Sequence, residues 1–76
     1  MANHNQLGVN HLFGERLRLI RKHKGFSQES LANKCGLDRS YIGGVERGSR
    51  NVSLKNIKII ADALEVSLEE LFHGVA

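Results

Sequence analysis

The chain has 76 residues, 41% hydrophobic and 25% charged, with a formal net charge of +3. That is one small domain with a single modest core, a size at which association adds useful stability. The ordinary composition excludes wholesale disorder, and the lack of a long apolar run excludes a membrane-spanning helix. The polar start, Met1–Asn10, lacks the basic-then-apolar pattern of a leader, and a single cysteine, Cys35, suits a reducing cytoplasm. Charge is unevenly spread. Arg16, Arg18, Arg21, Lys22 and Lys24 face only Glu15 in the first third, whereas Asp62, Glu65, Glu69 and Glu70 outnumber Lys55 and Lys58 in the last. A basic front and an acidic back suit either orientation on a polyanion or a merely solvated surface.

In chain order, residues 1–9 read as a flexible segment and 10–76 as the folded domain. Phe13, Leu17 and Ile20 recur at helical spacing and predict a first helix over Asn10–Lys24, closed by Gly25 after a basic last turn. Ser27 caps a second helix, Gln28–Cys35, and Asp38 a third, Arg39–Arg47. Gly48-Ser49-Arg50-Asn51 forms a loop. Ser53 opens a fourth helix whose apolar face is Leu54, Ile57, Ile60, Ala61 and Leu64. Ser67-Leu68-Glu69-Glu70 reads as a capping box before a short last helix. No strand pattern competes, so the expected fold is all-α with five helices.

The segment Phe26–Arg50, FSQESLANKCGLDRSYIGGVERGSR, concentrates the information. Leu31 and Ala32 share one face of its first helix, Gly36 sits at a turn that calls for positive φ, and Ile42 and Val45 line the inner face of its second helix. Together these offsets make a helix-turn-helix signature. The segment resembles the DNA-binding motif of the phage-repressor family, which includes lambda repressor and Cro. Gln28, Leu31, Ala32, Gly36, Leu37, Ile42 and Val45 carry the match, and the likeness extends from Phe13 to Phe72.

The resemblance implies a lambda-repressor-like domain that lays its third helix in the major groove of double-stranded DNA. The outward residues of that helix, Arg39, Ser40, Gly43 and Gly44, with Tyr41 at the flank, are then the candidates for base contact. Arg39 suits guanine, whose O6 and N7 accept its fork, a contact contributing ~1–3 kcal/mol of discrimination. Ser40 either reads an edge or binds phosphate, and Tyr41 either meets a base or wedges against the backbone. Gly43 and Gly44 cost ~1 kcal/mol each in a helix. Either they let the backbone approach DNA closely, or the loss is simply tolerated. Phosphate contact is expected from Ser27 and Gln28 through free backbone N–H groups. It is also expected from Arg47, Ser49, Arg50 and Asn51, where family members touch the backbone; Arg50 has the alternative of reaching a groove. The family pairs a glutamate at Glu46 with an arginine at Arg21, read here as an exposed structural ion pair contributing ~0–1 kcal/mol.

Other chemistry finds little support. His4, His11, His23 and His73 are scattered without metal-ligand spacing, and Cys35 reads as a small turn or core residue. No phosphate-binding glycine loop, paired-carboxylate cleft or nucleophile elbow occurs, so no enzyme activity, metal, cofactor or small-molecule ligand is expected. The family reads two-fold-related sites, which implies a homodimer. Its expected interface is Val66, Leu68, Leu71 and Phe72, within residues 65–76; the alternative is that these residues only close the monomer core. The runs LDRSYI and ERGSRN resemble the controller proteins of restriction–modification systems, small dimers that activate or repress their own operon. A phage or plasmid repressor, an antitoxin, and a protein-interaction module that keeps the fold without DNA binding stay as alternatives. The implied setting is the bacterial or phage cytoplasm, at the nucleoid.

Overall fold

A computed structural model describes residues 8–75. Five helices follow in order: α1 Gly8–His23, α2 Gln28–Cys35, α3 Arg39–Arg47, α4 Leu54–Leu64 and α5 Leu68–Leu71. The described residues contain no strand, and the all-α expectation holds. Helix α1 begins two residues before the expected Asn10, so Gly8 and Val9 are helical; the rest of the expected flexible segment, and His4, lie outside the described residues. None of these helices is long and apolar enough to cross a membrane.

The helix ends follow from a few residue types. Helices α1 to α4 close with the same long backbone bond: Phe26 N–H to Arg21 O at 3.0 Å, Leu37 to Ala32 at 2.9 Å, Ser49 to Gly44 at 3.0 Å and Val66 to Ala61 at 3.0 Å. That geometry needs a left-handed residue at the turn. Gly25, Gly36 and Gly48 supply it in three helices, and Glu65, at φ 59°, supplies it in α4. At the starts, the hydroxyls of Ser27, Ser53 and Ser67 accept from the N–H groups of Ser30, Asn56 and Glu70. Two expectations about starts are corrected. Asp38 occupies the cap position of α3 but makes no side-chain cap bond. The reciprocal capping box forms at Ser27–Ser30, where the Ser30 hydroxyl accepts from Ser27 N–H at 2.9 Å.

Helix α1 packs on α3 and α5, α2 on α3 and α4, and α4 on α5. Leu17, Leu31, Ile42, Val45, Ile60, Leu64 and Leu71 are fully enclosed where these helices meet. The α1–α3 crossing is closest at Gly14. A β-carbon there would sit 2.8 Å from the carbonyl carbon of Glu46, with the Val45 and Glu46 carbonyl oxygens nearer still. Gly48 repeats this at the end of α3, where a β-carbon would lie 2.8 Å from His11 Cα. Backbone thus meets backbone, and α1 fixes the position and tilt of α3.

Leu71 must leave the expected dimer set. It is 0% exposed and plugs the monomer core. Phe72 stacks on Phe13 with ring centroids 5.1 Å apart, and Val66 packs half-buried against the core. Leu68 and the outer side of Phe72 remain at the surface, so part of the C-terminal apolar material closes the monomer and part stays open.

Candidate nucleic-acid interface

The outer surface of α3 rests on a polar lock between three helices. The Arg21 guanidinium on α1 grips the Glu46 carboxylate on α3 twice, Nε to Oε2 at 2.5 Å and Nη2 to Oε1 at 3.0 Å. Its third nitrogen donates to Phe26 O at 2.8 Å in the turn before α2. Gln28 Nε2, on the first turn of α2, donates to the same Glu46 Oε1 at 3.0 Å. The expected pair therefore forms, but its setting is corrected: the two residues are only 6% and 8% exposed. A bidentate, buried pair of this kind fixes orientation, and losing one partner strands a charge. The lock also occupies the one carboxylate on α3, leaving the helix surface cationic.

Arg39 and Ser40 stand exposed at the start of α3, as expected. They line a cleft of about 270 Å³ with Gln28, Gly43 and Arg47. Gly43 and Gly44 are buried, which corrects their placement among outward groups. A β-carbon at Gly43 would meet Arg47 Nη1 at 3.3 Å and Gln28 Oε1 at 3.4 Å. One at Gly44 would meet Arg50 Cγ at 3.0 Å and Nε at 3.2 Å. The glycines thus form a floor on which the side chains of Gln28, Arg47 and Arg50 lie. Arg50 is held there from the other side, its guanidinium 5.4 Å above the Tyr41 ring, while the Tyr41 hydroxyl accepts from Asn56 Nδ2 at 3.0 Å. Tyr41 is a half-buried seat for Arg50.

The remaining expected phosphate ligands divide. Arg47 and Arg50 are exposed and, like Arg39, have no carboxylate within 4.0 Å among the described residues. At α2, the Ser27 N–H and hydroxyl are spent inside the capping box, which corrects the reading of Ser27 as a free donor; the Gln28 N–H keeps no partner among the described residues. The Ser49 hydroxyl donates to Gly44 O at 3.1 Å, and Asn51 accepts from Asn10 Nδ2 at 2.6 Å, so both brace the loop after α3. Cys35 is half-buried against the core, away from this surface, and burial raises its thiol pKa against the opposing pull of Lys34.

A helix-turn-helix family model matches residues 17–71, most of the chain. The chain belongs to the helix-turn-helix family. It is 52% identical over 61 residues to control protein C.BamHI of Bacillus amyloliquefaciens, covering 79% of this chain and 75% of that one. Among solved structures it resembles the restriction–modification controller protein C.AhdI from Aeromonas hydrophila, at 60% identity and TM-score 0.81, over 83% of this chain and 96% of that one. The controller protein C.Esp1396I, solved as a tetramer with its natural 35 base-pair operator, matches at 40% identity and TM-score 0.81 over 90% of each chain. The chain spans 52% of one curated transcription factor it matches, and 75% and 86% of two control proteins. Within the helix-turn-helix family, the controller proteins are thus relatives along nearly the whole domain.

Proposed function

We propose that the protein is a controller-type transcriptional regulator that binds operator DNA as a homodimer, in the cytoplasm at the nucleoid, and sets expression of its own operon. The observation that carries this reading is the surface of α3. Its only acid, Glu46, is locked inward by Arg21 and Gln28, while Arg39, Arg47 and Arg50 lie outward without carboxylate partners among the described residues. Such a surface meets a polyanion without an opposing charge. Arg39 and Ser40, at the start of the helix, take the base edges; Arg47, Arg50 and the Gln28 N–H take backbone phosphates. Leu68 and Phe72 supply the exposed part of a two-fold contact that places the two α3 helices about 34 Å apart, one turn of DNA.

The test is a gel shift with salt titration on the DNA upstream of the protein's own gene, beside scrambled DNA of equal length. The expected result is tight binding to upstream DNA that survives competitor. Arg39→Ala should keep binding but lose the preference at one base pair. Equal, weak binding to both DNAs, erased by moderate salt, would reject site-specific regulation. Methyltransferase and endonuclease genes beside this one are the further mark of a controller.

A further inference from the structure

Three clefts run in series across the molecule. The first, at the start of α3, is bounded by Arg39 and Arg47. It shares Gln28 and Arg47 with a larger cleft of about 650 Å³ between α1 and α3, whose far wall carries Arg18. That cleft in turn shares Glu15 and Arg18 with a third, of about 280 Å³, which reaches Lys22. The trough therefore passes Arg39, Arg47, Arg18 and Lys22, four exposed cations with no carboxylate within 4.0 Å among the described residues. Of the two acids along it, Glu46 is held by Arg21 and Gln28, whereas Glu15 is exposed, 3.3 Å from the His11 imidazole.

We propose that Arg18 and Lys22 on α1 form a second DNA-backbone site, outside the helix-turn-helix, which holds phosphodiesters beyond the bases that α3 reads. The reading rests on the proposed DNA-binding function and extends its contact surface by one helix. Phosphates repeat every ~3.4 Å of axis along each strand, so a strand leaving the groove at Arg47 presents further phosphates to a cationic wall beside it. The larger cleft has room for a sugar and its phosphate. The Gly14 crossing holds α1 against α3, so the backbones that carry Arg18 and Arg47 keep a fixed separation.

The experiment measures affinity against salt for the full chain on operator and on scrambled DNA, with Arg18→Gln, Lys22→Gln, Glu15→Gln and, as a control for net charge, Lys55→Gln on α4. Arg18→Gln should weaken binding several-fold on both DNAs alike and reduce the salt slope by about one, with thermal stability unchanged. Lys22→Gln should do the same to a smaller degree. Glu15→Gln should strengthen binding, because it removes the one repelling charge that lines two of the three clefts. Opposite signs from two neighbours on one helix are not produced by a structural role. Unchanged affinity and slope in Arg18→Gln, with wild type still selective for its operator, overturns this site alone. An equal loss in Lys55→Gln also overturns it, as a bulk charge effect. Wild-type protein that does not distinguish operator from scrambled DNA overturns the proposed function, and this site with it.

Discussion

On the face of α3 turned toward α1, backbone lies against backbone at Gly14 and Gly48, and a buried ion pair closes the joint. On the face turned to solvent, Gly43 and Gly44 lie beneath the movable ends of Arg47 and Arg50. Both faces use glycine, for opposite reasons. Inside, the absent side chain permits a fixed approach that nothing can replace. Outside, it clears a floor over which side chains are arranged and can be rearranged. The proposed DNA surface thus keeps its adaptable parts on and just after a helix whose own position is rigid.

The strongest way to break the inner face is to strand its charge. Glu46→Ala leaves the Arg21 guanidinium buried without its partner, which should cost about 3–5 kcal/mol and lower the midpoint of urea unfolding accordingly. Glu46→Gln, which keeps a hydrogen-bond acceptor for Arg21 and Gln28, should lose less. Equal stability of Glu46→Ala and wild type would mean that the joint is not held by this pair. Next in size is Gly14→Ala. The new methyl meets the backbone of α3, so the helices must part, at a cost of about 1–3 kcal/mol despite the better helix propensity of alanine. Thermal unfolding measures this directly, and a rise in melting temperature would contradict the close crossing.

The outer face predicts a different pattern. Gly44→Ala pushes against Arg50 Cγ and Nε, atoms along a flexible side chain that can give way. Stability should hold or rise by up to about 1 kcal/mol, since alanine favours the helix. DNA affinity should fall, because Arg50 leaves its seat over Tyr41. Stability and binding then move in opposite directions at Gly44 and in the same direction at Gly14. A Gly44→Ala protein that binds DNA as wild type does would show that the seat of Arg50 is unimportant.

The same contrast explains what was legible in the sequence. The helix boundaries of α2 and α3, the Arg21–Glu46 pair and the exposed Arg39 followed from local signals and from family resemblance. Gly14 carried no signal of its own, because the backbone that needs its missing side chain belongs to α3. Gly43 and Gly44 read as open positions because the arginines that cover them come from later in the chain. Leu71 read as spare apolar surface, since chain order does not reveal that α5 turns it under α1 and α4. In each case the missing information was which group, backbone or side chain, fills a space, and that depends on packing rather than on spacing.

The smallest effect is expected at the end of α4, and it separates conformational strain from crowding. Gly48 and Glu65 occupy the same left-handed position after α3 and α4, at φ 78° and 59°. At Gly48 a β-carbon would also meet His11 Cα at 2.8 Å, so Gly48→Ala combines strain with a backbone clash across the inner joint. At Glu65 the side chain is exposed and only strain operates, costing about 1–2 kcal/mol for a residue other than glycine. Glu65→Gly relieves it but adds about 0.5–1 kcal/mol of chain entropy and removes a 3.7 Å contact between Lys34 and Glu65, exposed groups whose pairing contributes ~0–1 kcal/mol. The net change should be a few tenths of a kcal/mol in either direction by urea unfolding, beside a clear loss for Gly48→Ala. A gain in Glu65→Gly as large as the loss in Gly48→Ala would assign the demand for glycine to the left-handed turn alone. A loss in Gly48→Ala well beyond any gain in Glu65→Gly places it in the approach of α1, the contact on which the orientation of α3 depends.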